Sequence, residues 1–144
     1  MTPRIVFVLG TRPEIVKLAP LVRACDRAAA DYAVVHTGQH YSERLDGVFF
    51  EDLELPAPEY NLGVGSGDHA AQTGEMVAEL GTVIEREAPD AVVVQGDTNS
   101  ALAGGIVASK RDATLAHVEA GLRSFDREMP EELNRVLVDH AADH

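Results

Sequence analysis

The sequence predicts an α/β fold, a parallel sheet with flanking helices, and three observations carry that expectation. Four short apolar runs rich in β-branched residues, Ile5–Leu9, Tyr32–His36, Ala91–Val94 and Thr114–Val118, have the length and composition of buried strands. The stretches between them repeat apolar residues at spacings of three and four, the period of a helix packed on one side. Strand and helix therefore alternate, and parallel strands require crossovers of the kind such helices provide.

Taken in order, the first strand runs into Gly10-Thr11-Arg12-Pro13-Glu14. Thr11 followed three residues later by Glu14 matches a capping box, so a helix is expected to open here with its amides facing the strand end. Ile15, Leu18, Val22 and Cys25 mark its inward face, which makes the single cysteine a core group. The second strand ends at Thr37-Gly38-Gln39-His40-Tyr41. Residues Leu55–His69, with Pro56, Pro58 and glycines 63, 65 and 67, are expected to form a long surface loop. Met76, Val77, Leu80, Val83 and Ile84 define the next helix. The strand at 91–94 leads through Gln95-Gly96-Asp97-Thr98 into a small-residue helix, Asn99–Lys110, whose Gly104-Gly105 pair permits close approach to the sheet. The fourth strand is followed by Glu119-Ala120-Gly121. Met129-Pro130-Glu131-Glu132 then opens a last helix, marked by Leu133, Val136, Leu137 and Ala141 and expected to run on through His144 because no stop signal appears.

Composition narrows the function. A chain of 144 residues with 45% hydrophobic content supports one domain with its own core. No apolar run approaches the ~20 residues needed to span a bilayer, and the first residues lack a secretory leader pattern. One cysteine rules out an internal disulfide, and a cytoplasmic location is expected. The 24 acidic residues outnumber 12 basic ones, of which only Lys17 and Lys110 are lysines, so a nucleic-acid partner is excluded for want of a basic footprint. An acidic, lysine-poor surface suits a high-salt interior, where dense salt screens self-repulsion.

In a parallel sheet the strand C-terminal ends form the crevice where ligands bind. Asp97, Glu119 and Glu131 all fall in segments at that rim, and Arg12 brings a forked positive charge suited to phosphate or to pairing with a neighbouring carboxylate. Singly, each has an ordinary structural use: Asp97 as a helix cap, Glu131 as a first-turn acid. Together they suggest proton transfer on an anionic substrate, with clustering expected to raise a carboxyl toward neutral pH. The G-x-G-x-x-G loop is missing after the first strand, as are P-loop and G-x-S-x-G patterns, so nicotinamide chemistry loses its main support. The pairs His36/His40 and His140/His144 lack a third ligand at a recognisable spacing, and no metal site is expected.

These segments carry a resemblance. Gly10-Thr11-Arg12-Pro13-Glu14 with Lys17, Thr37-Gly38-Gln39-His40, Gln95-Gly96-Asp97-Thr98, His117-Val118-Glu119-Ala120-Gly121-Leu122-Arg123 and Pro130-Glu131-Glu132 with Asn134-Arg135 occur in one order. The set closely resembles the non-hydrolysing UDP-N-acetylglucosamine 2-epimerases, from the first strand to the last residue. That resemblance implies two Rossmann-like halves in a glycosyltransferase-B arrangement. Residues 1–144 match the N-terminal one, and the C-terminal nucleotide-binding half is expected to be absent from this chain. It implies interconversion of UDP-GlcNAc and UDP-ManNAc without a cofactor, through loss of the C2 proton, departure of UDP and a glycal intermediate. Asp97, Glu119 and Glu131 would be the acid/base groups. Arg12 would stabilise the departing diphosphate, Lys17 would contact substrate, and Arg135 would hold either its helix or the phosphate. Gln39 and His40, just after the second strand, are read from their place at the rim as polar substrate contact or loop wall. The expected partners are a UDP-sugar, a second copy in the complete protein, and a separately supplied C-terminal half. In some bacterial members a second UDP-GlcNAc activates the enzyme. Ser42 stands where that site would have a glutamine and Gly65–His69 offers no arginine, so such regulation is not expected. Two other readings stay open: a hydrolysing epimerase that releases ManNAc and UDP, and an inactive stand-alone binding or interaction module.

Overall fold

The computed structural model describes residues 2–144. It contains β1 (Arg4–Leu9), α1 (Arg12–Arg27), β2 (Asp31–His36), α2 (Glu43–Asp52), β3 (Tyr60–Asn61), α3 (His69–Glu87), β4 (Ala91–Gln95), α4 (Asn99–Ser109), β5 (Thr114–Val118) and α5 (Pro130–Ala141). The strands form one parallel sheet in the order β3-β2-β1-β4-β5, with Val6 opposite both Ala33 and Val92 and Val93 opposite Ala116. The α/β parallel architecture expected from the alternation of strand and helix is the one observed, and the four expected strands agree with it to within a residue at either end.

Both faces of the sheet are covered, which is why its strands read as continuous apolar runs. Val6, Val8, Val92 and Val94 face a core built with Met76 and Leu80 of α3, Ala101 and Ala103 of α4 and Val138 of α5. Phe7, Leu9, Val34 and Val93 face the other way, onto Ile15, Leu18 and Val22 of α1 and Phe50 of α2. Cys25 is half-buried beside this second core rather than inside it, and burial pushes its thiol above the ordinary value. In α4, a Cβ placed on Gly104 would stand 2.6 Å from Val94 Cγ1, so only glycine lets that helix sit this close to β4. Its neighbour Gly105 has room, with the nearest atoms at 3.6 Å. No described helix is long and apolar enough to cross a membrane.

Three expectations are corrected. The stretch Leu55–His69 is not all loop: Tyr60 and Asn61 pair with Val35 and His36 as a fifth strand. The last helix stops at Ala141, and Ala142 turns to extended backbone with ψ 144°. The chain then folds back along β5, where His117 N–H donates to His144 O at 2.8 Å and Asp143 N–H to Leu115 O at 2.8 Å. Backbone pairing therefore ends this helix without glycine or proline, and His140 and His144 share no helix face. The inward face of α5 also differs from its apolar pattern. Glu132, Asn134, Arg135 and Val138 are buried, while Leu137 is 56% exposed.

Candidate active site

Strand order reverses between β1, which continues outward to β2 and β3, and β4, which continues to β5. At such a switch the two adjacent strand-to-helix turns part and leave a crevice. A cleft of about 410 Å³ occupies this place, reached by α1 from one face of the sheet and by α3, α4 and α5 from the other. The expected residues Lys17, Gln39, His40, Asp97, Glu119 and Glu131 all line it. Arg12 and Arg135 do not, and each stands just behind the wall.

The β1–α1 turn is packed tightly. A Cβ on Gly10 would meet Thr37 Oγ1 at 2.2 Å and Ser100 Oγ at 2.3 Å, so this position fixes the approach of the turn to the β2 and β4 ends. The expected capping box is only half formed. Thr11 makes no side-chain cap; its hydroxyl instead donates to Glu14 Oε1 at 2.9 Å, which also accepts the Gly10 N–H at 3.1 Å. Glu14 is 0% exposed and Oε2 has no partner. Burial pushes this carboxyl up to about 7, against the hydrogen bonds from Thr11 and Gly10 that favour the charged form. Arg12 leans outward over the Phe49 ring at 5.8 Å, with Nε 3.4 Å from Asp46 Oδ1. Asp46 in turn lies 3.1 Å from His36 Nε2, and burial holds that imidazole below its ordinary value despite the carboxylate.

On the other side, the capping duty suspected of Asp97 belongs to Thr98, whose hydroxyl accepts Ala101 N–H at 3.0 Å. That leaves the Asp97 carboxylate available to the cleft. Arg135 is buried and braces two acids: Nη2 lies 3.0 Å from Asp97 Oδ2 and 3.3 Å from Glu119 Oε1, and Nη1 donates to the Glu119 carbonyl. These bonds tie α5 to the turns that follow β4 and β5. Glu119 sits at φ +64°, a left-handed conformation that a side chain rarely adopts and that over-determined surroundings must hold. Lys17 Nζ donates to its Oε2. Clustering therefore does not raise Glu119. The hydrogen bond from Lys17, with Arg135 behind it, holds this carboxyl below the usual range.

The loop after β5 is pinned at both ends. Glu132 accepts the N–H groups of Ser124 at 2.9 Å and Phe125 at 2.8 Å, leaving its neighbour Glu131 to face the cleft. His117 places Nε2 2.7 Å from Gly96 O and Nδ1 2.6 Å from Asp139 Oδ1, while Asp139 Oδ2 accepts Gly121 N–H at 3.0 Å and Arg123 Nη1 at 2.6 Å. Residues absent from the expected set also line the cleft: Glu14, His69, Asn99 and Asn134. In the sequence Glu14 stands out as a capping signal and as the last residue of the Gly10–Glu14 motif, with no role of its own. His69 lay at the edge of a Gly-rich stretch that carried no pattern.

Comparison with known proteins points to one family. The profile of the family described as UDP-N-acetylglucosamine 2-epimerase matches residues 23–144. A UDP-N-acetylglucosamine 2-epimerase of Methanocaldococcus jannaschii is 59% identical over 138 residues, 96% of this chain and 38% of that protein. One from Methanococcus maripaludis is 53% identical over 140 residues, 97% of this chain and 38% of that protein. The crystal structure of the M. jannaschii enzyme in complex with UDP-GlcNAc and UDP superposes with a TM-score of 0.95 at 57% identity, covering 98% of this chain and 39% of that one. This chain thus spans a little over a third of the length of the proteins it matches.

Proposed function

Because the chain belongs to the UDP-N-acetylglucosamine 2-epimerase family, we propose that its cleft forms one wall of a site that interconverts UDP-GlcNAc and UDP-ManNAc. The observation that carries this reading is the set of three carboxylates, Asp97, Glu119 and Glu131, around one crevice, two of them braced by the same buried arginine. A C2 epimerisation needs a base to take the C2 proton from one face and an acid to return it on the other. UDP leaves C1 as the base takes the C2 proton, whose bonding electrons become the C1=C2 double bond of a glycal. On return those electrons take a proton at the other face of C2 while an oxygen of UDP bonds C1 again. The chemistry is proton transfer and elimination, which these side chains supply without a redox cofactor.

The Lys17–Glu119 pair gives the cleft a way to arm its base. A carboxylate held by a lysine is a weak base. A diphosphate entering the cleft competes for Lys17, and losing that partner raises the basicity of Glu119 where the substrate has arrived. Lys17 then serves the departing diphosphate as it gains charge; Arg12, turned toward Phe49 and Asp46, would have to swing inward to join it. Gln39 and His40 form the neighbouring wall. Gln39 is rigidly held, its Oε1 accepting both the N–H and the hydroxyl of Ser100 at 3.1 and 2.7 Å.

The other wall is proposed to come from the further length seen in the relatives, in the glycosyltransferase-B arrangement, with the complete protein forming a homodimer in the cytoplasm. Alone, the open cleft leaves the carboxylates and Lys17 in water, where positioning and dry electrostatics contribute little. The net charge of -12 supports a high-salt setting. The test is product analysis on a chimera in which residues 1–144 replace the matching segment of the Methanocaldococcus relative. UDP-ManNAc from UDP-GlcNAc is expected from the chimera and not from residues 1–144 alone. Free ManNAc with UDP would identify a hydrolysing enzyme, and binding without turnover a stand-alone module.

A further inference from the structure

Four side chains form a hydrogen-bonded line across the floor of the cleft, from Asn134 on α5 through Asn99 on α4 to Gln72 and His69 on α3. Its direction is fixed at both ends by backbone carbonyls, which only accept. Asn134 Nδ2 lies 3.0 Å from Asp97 O and 3.1 Å from Asn99 Oδ1. At the far end, Gln72 Nε2 lies 2.8 Å from Gly65 O, so its Oε1 faces Asn99 Nδ2 at 2.9 Å. Each anchor independently turns the Asn99 amide nitrogen toward α3, and the two agree. Flipping any one of these amides would set donor against donor or acceptor against acceptor in the buried floor. The second Asn99 N–H points to His69 Nδ1 at 2.9 Å. Nδ1 is therefore an acceptor, and the proton of the neutral ring sits on Nε2. Among the described residues nothing accepts that N–H, and the ring lines the cleft.

The surroundings say what it suits. Lys17 reaches the cleft from α1, on the opposite face of the sheet, and brings the positive charge a diphosphate requires. The His69 end is floored by uncharged amides. A proton on Nδ1 would face the Asn99 N–H, so the ring cannot relay protons without breaking the line. We propose that His69 is a specificity residue, donating Nε2–H to an uncharged acceptor oxygen of the sugar, a hydroxyl or the acyl carbonyl; this rests on the sugar-nucleotide reading above.

The test is nitrogen-15 NMR of the imidazoles in the chimera described above, with the His69 signal identified by its loss in His69→Leu, titrated with UDP-GlcNAc and separately with UDP. The His69 ring is expected to show the Nε2–H tautomer and to respond to UDP-GlcNAc but not to UDP. His69→Leu is expected to weaken UDP-GlcNAc binding roughly 3- to 10-fold, the range of one uncharged hydrogen bond, and to leave UDP binding unchanged. His69→Gln, which offers an oxygen to Asn99 and an N–H to the ligand, is expected to restore most of the loss. A proton on Nδ1, an equal loss for both ligands, or full UDP-GlcNAc affinity in His69→Leu would overturn the proposal while leaving the function standing. If neither ligand shifts the amides of Thr11, Asp97 and Glu119, the sugar-nucleotide reading fails and this proposal with it.

Discussion

Glu14→Gln should make the protein less sensitive to rising pH, by an amount the burial of this one carboxyl sets. Glu14 is 0% exposed, and its ionisation is pushed from 4.5 up to about 7 by burial. In the unfolded chain it returns to the ordinary value. Below about pH 4.5 the group is protonated in both states and contributes no pH dependence. Between about pH 4.5 and 7 the fold keeps the proton that the unfolded chain releases, so stability falls as pH rises, and above about pH 7 the loss is complete. At about 1.4 kcal/mol per pH unit the total is about 3 kcal/mol. Gln cannot titrate, and whatever its buried amide costs is the same at every pH. Carboxylates held low, such as Glu119, move stability the opposite way but are common to both proteins and cancel. Urea melts of the two proteins at about pH 4.5, 6 and 8 should show the variant gaining about 3 kcal/mol on the wild type across the series. A difference that stays constant, or shrinks as pH rises, would refute the claim that Glu14 is buried as a neutral acid.

The remaining predictions concern catalysis, packing and salt. In the chimera, Asp97→Asn, Glu119→Gln and Glu131→Gln should each lower epimerisation about 10²- to 10⁴-fold while the chain stays folded by circular dichroism; near-normal turnover in all three would remove the acid/base assignment. Gly104→Ala should cost about 1–3 kcal/mol, because its methyl would meet the fully buried Val94 at 2.6 Å, whereas Gly105→Ala has room and should be neutral or stabilising by up to about 1 kcal/mol. Equal melting shifts for the two would contradict the packing of α4. The melting temperature should climb from dilute buffer toward molar KCl, since a net charge of -12 repels itself until screened. A flat or falling curve would rule out adaptation to salt.

How much of this was legible in the sequence follows from where each residue's partners lie. Strands buried on both faces announce themselves, so β1, β2, β4 and β5 were readable, and the Gly- and Pro-marked turns after them placed Asp97, Glu119 and Glu131 on one rim. Helix α2 escaped because its inward side is led by a carboxylate, Asp46, while Leu45 and Val48 are left about half exposed. Strand β3 has two residues and exists only through pairing with β2. The apolar pattern of α5 pointed to the wrong face because its inner residues, Glu132, Asn134 and Arg135, serve the site rather than the core. The Lys17–Glu119 pair joins residues 102 positions apart and lowers a carboxyl that local clustering alone would have raised. His69 could not be found from spacing, since its meaning comes from an amide line crossing three helices.

The central claim is that these carboxylates exchange the C2 proton of a nucleotide sugar with solvent, and solvent isotope incorporation tests it most directly. UDP-GlcNAc incubated with the chimera in D₂O, with the sugar nucleotides then resolved by mass spectrometry and proton NMR, should yield UDP-ManNAc carrying deuterium at C2, and Glu119→Gln should slow both product and label together. UDP-ManNAc formed without deuterium at C2 would contradict proton exchange with solvent at this cleft.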